Sequence, residues 1–237
     1  MDLKIRDVAD LLNVSESTIR RWLAEGKIPA YRLNNQFRFS RSEIEQWMLL
    51  HKPGENPTSL PYGIEPALQI DDESPSPRSG SRQFSLYRAL NKGEVYHSVS
   101  GKTKEEIICQ TAHKLAQNLH LDPDVLSELL IDREQLQPTA LNHGFAIPHA
   151  RDFLLSSHYD VMAVVFPEQP LEYGALDGEP VHTLFFLFAC EDKRHLHLLA
   201  KTALLCSDPT VVAFFKTHPP KDKLLEFVKK WESSLAK

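Results

Sequence analysis

Arg133-Glu-Gln-Leu-Gln-Pro-Thr-Ala-Leu-Asn-His-Gly-Phe-Ala-Ile-Pro-His149-Ala-Arg151 is the stretch from which the rest of the chain is read. A histidine stands directly after a proline, at the end of the short apolar run Phe145-Ala-Ile147. Pro148 fixes its own φ and pushes Ile147 towards extended backbone. A histidine leaving a short strand through so stiff a turn is expected at a surface or cleft, held rather than swinging. Neutral imidazole is a nucleophile with a pKa near working pH, so His149 suits attack on phosphorus. Arg133 and Arg151 flank it, and a guanidinium can hold two phosphate oxygens at once. A buried or capping histidine is the plainer alternative, because one Pro-His dipeptide is a weak signal.

Around this stretch the pattern alternates helix and strand. Phe84 to Leu90 reads as a short amphipathic helix and Glu94 to Val99 as a strand. Thr103 caps a long helix through Leu119, and Asp122-Pro123 starts another that reaches about Asp132. Val161 to Phe166 and His182 to Cys190 are apolar enough for buried strands. Helices follow over His195 to Cys206, Pro209 to Lys216 and Lys221 to Trp231. The alternation predicts an α/β domain with a mixed β-sheet covered by helices, over 83–237.

Residues 52–82 differ in character. Six prolines fall among Gly, Ser, Asp and Glu, ending in Ser74-Pro-Ser-Pro-Arg-Ser-Gly-Ser81. Such a composition buries too little apolar surface to fold alone, so a flexible linker is expected there.

Residues 1–51 form a third pattern. Ile5, Val8, Ala9, Leu11 and Leu12 have helical spacing, and Asn13-Val14 makes a tight turn. Ser15 caps a second helix from Glu16 to Glu25, closed by Gly26. Ala30 to Leu33 and Phe37 to Phe39 read as a hairpin. Ser40 with Glu43 is a capping-box pattern ahead of a third helix carrying Ile44, Trp47 and Met48. This is a small winged helix-turn-helix, mostly α with a β-hairpin. Its second helix carries Ser17, Thr18, Arg20 and Arg21, which can reach phosphates and base edges, and Arg32 and Arg38 sit on the hairpin like a wing.

Bulk properties agree with two units. The net charge of −5 is unevenly spread: residues 1–52 hold nine Lys/Arg against seven Asp/Glu, a net +2, which leaves −7 for the rest. That asymmetry suggests different partners. The richest apolar run, Leu184 to Cys190, is far too short to span a membrane, so no membrane insertion is expected. The Met-Asp-Leu-Lys start does not read as a secretory leader. Three cysteines without CxxC spacing read as reduced core thiols, and the setting as cytoplasmic.

Two resemblances sharpen this. Ile5-Arg-Asp-Val-Ala-Asp-Leu-Leu-Asn-Val-Ser-Glu-Ser-Thr-Ile-Arg-Arg-Trp22, Gly26-Lys-Ile-Pro-Ala30, Phe37-Arg-Phe39 and Ser42-Glu-Ile-Glu-Gln-Trp47 resemble the excisionase and MerR-like DNA-binding domain. Gly101-Lys-Thr-Lys-Glu-Glu106, Asp132-Arg-Glu134, His143-Gly-Phe-Ala-Ile-Pro-His149 and Glu191-Asp-Lys-Arg-His-Leu-His-Leu-Leu-Ala200 resemble the enzyme IIA domain of the bacterial phosphotransferase system, of the fructose/mannitol and nitrogen-regulatory (PtsN) type. The resemblance puts the phosphorylated histidine on His149, its supporting arginine on Arg133 and a second active-site histidine on His195. It implies attack through Nε2, with the other ring nitrogen held by a backbone carbonyl. Thr139 and the amides around Gly144 would line the phosphate pocket, and Arg151 would dock a partner. Ala140, Asn142 and Ala150 stand where the family usually has glycines, which would stiffen the loop.

The expected function is a phosphorylation-responsive regulator. A phosphocarrier protein of the HPr/NPr type would phosphorylate His149, and that state would modulate DNA binding. Two alternatives stand beside it. One is a phosphohistidine phosphotransfer component passing phosphate to a separate sugar permease component; the other is a regulator gripping target proteins without DNA. A homodimer belongs among the partners, because one small helix-turn-helix makes few base contacts. No cofactor is expected. No metal is expected either, since the histidines lack HExxH or Cys/His spacing.

Overall fold

Ser15 opens the second helix of the first unit by accepting a hydrogen bond from the Thr18 amide over 3.2 Å, as its sequence position predicts. The computed structural model describes residues 2–12, 14–33, 36–50, 84–150, 155 and 158–235. The linker expected over 52–82 and the docking residue Arg151 lie outside the described residues. In the first unit α1 (Ile5–Leu12) and α2 (Glu16–Ala24) form the helix-turn-helix. Gly26 ends it at φ +65°, a left-handed position with the Lys27 amide donating back to Trp22 O over 2.9 Å. The hairpin of β2 (Tyr31–Leu33) and β3 (Gln36–Ser40) is joined by β1 (Asp2–Leu3), a strand the sequence pattern did not suggest, in the order β1-β3-β2. Helix α3 (Arg41–Leu50) closes the unit. Val8, Ile19, Trp22, Phe39, Ile44 and Trp47 are its buried core, and the Trp47 indole donates to Lys27 O over 2.6 Å.

The second unit is built on a four-stranded mixed sheet in the order β4-β6-β7-β5. Strands β4 (Val95–Val99) and β6 (Val161–Pro167) run parallel, β6 and β7 (Thr183–Phe188) antiparallel, and β7 and β5 (Phe145–Ala146) parallel. The unbroken apolar runs of β6 and β7 follow from burial on both faces. Met162, Val164, Phe166, Phe185 and Leu187 point into one layer, with α4 (Ser85–Lys92), α7 (Asp192–Cys206), α8 (Pro209–Phe215) and α9 (Lys221–Ser234). Val161, Ala163, Val165, Leu184 and Phe186 point into the other, with α5 (Lys104–Leu119) and α6 (Pro123–Leu136). Among the described residues no single helix is long and apolar enough to cross a membrane.

Two boundaries differ from the sequence reading, and both bear on the site. Helix α6 runs four residues past the expected end at Asp132 and stops only before Pro138, which forces Gln137 extended at φ −170°. Helix α7 begins at Asp192 rather than His195, so His195 sits in its first turn.

The two units touch. Helices α1 and α3 pack against α7. Leu11 and Met48 join the apolar layer that α7 shares with the sheet.

Candidate functional site

The segment Thr139 to Ile147 folds back on itself. The Ile147 amide donates to Thr139 O over 3.0 Å and the Leu141 amide to Phe145 O over 2.7 Å. Gly144 lies at φ +79°, and a Cβ there would come within 2.5 Å of the His182 ring, so only glycine closes the turn so tightly. Beyond β5 the chain stays beside β7: the Leu187 amide donates to Pro148 O over 3.0 Å, and His149 pairs with Leu187 in parallel register. Proline has no amide to lose, but its carbonyl still serves the sheet. His149 is thus mounted on the rigid edge of the sheet.

Both ring nitrogens of His149 are engaged. Nδ1 lies 2.7 Å from Ile147 O, and Arg133 Nε donates to Nε2 over 3.1 Å. A carbonyl can only accept and a guanidinium can only donate, so the two contacts together select the neutral tautomer protonated on Nδ1. The Nε2 lone pair then faces the Arg133 charge. Arg133 is itself fixed by a hydrogen bond from Nη1 to Gln137 O over 3.1 Å. Its neighbour Glu134 braces the other side. Glu134 accepts from the Thr139 hydroxyl over 2.6 Å, from the Thr139 amide, from Lys104 Nζ over 3.0 Å and from the Tyr173 hydroxyl over 3.3 Å. Burial, and then the Glu134 charge, push the Tyr173 phenol well above its ordinary range.

His195 reaches the same place from α7, with its ring centroid 5.1 Å from that of His149. Burial is the largest cause of a pKa lowered to about 3. Of the residues expected at the site, His149, Arg133 and His195 come together. Thr139 is buried nearby, but its hydroxyl serves Glu134. The Gly144 carbonyl accepts from the amides of His182 and Thr183, so its contacts belong to the turn.

The expectation of an open cleft is corrected. His149 is 0% exposed and His195 2%. The cover comes from the other unit: Glu45 of α3, also buried, places Oε2 3.8 Å from His149 Nε2 and Oε1 3.9 Å from His195 Nε2. Arg41, one turn earlier, pairs with the Glu45 carboxylate over 2.8 Å. Burial raises the Glu45 pKa, but the basic groups around it, Arg41 among them, outweigh this and hold the carboxyl well below its usual range. Glu45 went unnoticed in the sequence because its only distinction, a carboxylate beside the inward Ile44, becomes visible once the units are docked.

Glu45, His149 and His195 are close enough to share a metal ion. Arg133 argues against one, since its fixed positive charge stands 3.1 Å from the nitrogen that a cation would have to share.

The residues expected to contact DNA lie apart from this site. Ser17, Arg20 and Arg21 are exposed on α2, and Thr18 is half-buried with its hydroxyl 2.9 Å from that of Ser15. Arg32 stacks over the Phe37 ring at 5.0 Å, and Arg38 bonds Gln36 over 2.8 Å.

Comparisons with known proteins agree with this architecture. The helix-turn-helix domain family matches residues 3–49. A nitrogen regulatory protein of Pseudomonas aeruginosa is 32% identical over 146 residues, covering 60% of this chain and 94% of that protein. The mannitol-specific phosphotransferase enzyme IIA component of Enterococcus faecalis is 29% identical, covering 52% and 86%. The crystal structure of nitrogen regulatory protein IIA-Ntr from Neisseria meningitidis shares the fold at a TM-score of 0.54 and 23% identity, covering 60% of this chain and 98% of that one. The family "phosphoenolpyruvate-dependent sugar phosphotransferase system, EIIA 2" matches residues 88–231, well over half of the chain, which therefore belongs to that family and carries a helix-turn-helix domain ahead of it.

Proposed function

We propose that the chain is a phosphorylation-responsive regulator of the bacterial cytoplasm. In it His149 accepts a phosphoryl group from an HPr/NPr-type phosphocarrier and modulates DNA binding by the helix-turn-helix. The observation that carries this reading is the pair of contacts on His149, Nδ1 to Ile147 O and Nε2 from Arg133. The Nε2 lone pair attacks phosphorus. The bond from phosphorus to the donor's histidine nitrogen breaks, and that nitrogen keeps the electron pair. Such a transfer needs placement and charge balance more than covalent help. Arg133 supplies the fixed charge, and His195 offers a ring N–H to a phosphoryl oxygen. On the DNA side, the exposed Ser17, Arg20 and Arg21 of α2 would face the major groove, with Arg32 and Arg38 following the backbone.

The test is phosphoryl transfer in the full chain. It is incubated with phosphoenolpyruvate, enzyme I and the phosphocarrier, and acid-labile phosphate is read by intact mass. Label on the parent and none on His149→Ala is the expected result; no label on either, with nitrogen-type donors included, would overturn the reading. DNA affinity of the two forms at fixed salt then tests the regulatory half, which fails if they bind identically.

The mannitol-specific relative supports a second reading, a phosphotransfer component that serves a separate permease. Phosphate appearing on sugar in the presence of such a permease would favour it.

A further inference from the structure

The cover over His149 is a charged group of the same chain placed against the attacking atom. Glu45 Oε2 stands 3.8 Å from Nε2, inside the pocket that Arg133 and His195 line. A buried carboxylate costs several kcal/mol unless cations and donors compensate it. Here Arg41 does so within α3 over 2.8 Å, while the ring nitrogens of His149 and His195 stand 3.8 and 3.9 Å away across the interface. Of these, His149 would take the phosphorus on Nε2 and His195 would meet a phosphoryl oxygen. Leu11 and Met48 add apolar contact to the same docking face.

We propose that Glu45 is a built-in occupant of the phosphoryl subsite, so that docking of the helix-turn-helix unit through α1 and α3 and phosphorylation of His149 exclude one another. This rests on the reading of His149 as phosphoryl acceptor. Three steps carry it. First, Nε2 cannot meet a donor protein while α3 lies over it, because His149 is 0% exposed. The phosphocarrier and α3 therefore compete for one face of the domain. Second, a phosphoryl group on Nε2 needs the volume that the Glu45 carboxylate fills. Third, the added charge at pH 7 is about −1.5 to −2, and it would face a carboxylate in a site with little water to screen it. Once His149 is phosphorylated, the same Arg133 and His195 hold the phosphoryl oxygens and Glu45 is expelled. The polarity of the switch also follows. Ser17, Arg20 and Arg21 remain exposed in the docked form, so docking leaves the DNA-facing side of α2 open. What phosphorylation changes is the tether: the DNA-binding unit is released from a fixed seat on the larger domain.

The experiment compares initial rates of phosphoryl transfer from the phosphocarrier to the full-length parent, Glu45→Gln and His149→Ala. Removing the carboxylate charge should open the site and speed labelling about tenfold or more, the scale of one charge-assisted contact. Small-angle scattering of the parent should show a larger radius of gyration after phosphorylation, and Glu45→Gln should begin nearer that larger value. Equal rates and equal radii for parent and Glu45→Gln overturn the occupant role while leaving His149 as acceptor. Label on His149→Ala, or none on any form, removes the acceptor reading and this inference with it.

Discussion

Arg133 and His149 are joined by a hydrogen bond in which a permanently charged guanidinium donates over 3.1 Å to the nitrogen that would attack phosphorus. The bond costs little to hold. Arg133 is anchored to Gln137 O, and His149 is anchored to Ile147 O and to the sheet edge. When a phosphoryl group arrives, Arg133 has only to pass its donor from Nε2 to a phosphoryl oxygen, and charge already in place is worth more than charge that must be brought in.

Arg133→Ala should therefore slow phosphoryl acceptance by about a hundredfold or more, in line with losing one preorganised charged donor. Arg133→Lys should recover only part, because an ammonium cannot reproduce the guanidinium's fork. Initial rates of acid-labile labelling check this, with thermal unfolding confirming that each variant folds. An Arg133→Ala rate equal to the parent's would falsify a transfer role for this residue.

Much of this was legible beforehand. Pro148 and the apolar run before it marked a strand end carrying a held histidine, and β5 with its continuation beside Leu187 is that feature. Ser15, Thr103 and Asp122 announced helix starts through local hydrogen bonding, which needs no tertiary knowledge. What stayed hidden depends on contacts distant in sequence. Glu134 looked like any acidic residue on a helix, and only Lys104, Thr139 and Tyr173 converging on it make it a buried brace. Glu45 is the sharper case. Its partners lie about a hundred residues or more away in the sequence, a separation that gives no hint of how the units meet.

Gly93 tests the packing of α4 on the sheet. A Cβ at this position would stand 2.1 Å from Met162 O, and backbone on a central strand cannot yield as a flexible side chain would. Gly93→Ala should destabilise the larger domain by about 1–3 kcal/mol, the usual range for overpacking. Urea unfolding would show a lower midpoint at unchanged slope. An unchanged midpoint would mean that the α4 end shifts freely.

Arg20 and Arg21 test the proposed DNA contact. Arg20 lies 3.6 Å from Glu16 in an exposed i,i+4 pair, which contributes little to stability. Arg20→Ala and Arg21→Ala should leave folding intact and weaken DNA binding. If a residue contacts only phosphate, its loss should lower the salt slope of log K by about 1 and weaken all sequences alike; if it reads a base, specificity should relax at one position. Binding isotherms at three salt concentrations separate these outcomes, and no change in either variant would take α2 out of the interface.

His195 makes stability depend on pH, and the sign follows from its surroundings. Its ordinary value is 6.5, and in the folded chain it falls to about 3. Burial is the largest cause. The charges of Arg41 and Arg133 act in the same direction, and Glu45 opposes them. Between pH 6.5 and 3 the unfolded chain therefore binds a proton that the folded chain refuses, and stability falls as pH drops through this window. The loss approaches about 1.4 kcal/mol per pH unit for one proton. Glu45, also held below its ordinary value of 4.5, adds a loss of the same sign only at more acidic pH. Urea midpoints at pH 7.5, 6.5 and 5.5 should therefore decline for the parent. They should decline less for His195→Gln, which has no proton to gain. Equal declines would show that His195 is not the titrating group, and would place the acid sensitivity elsewhere in the fold.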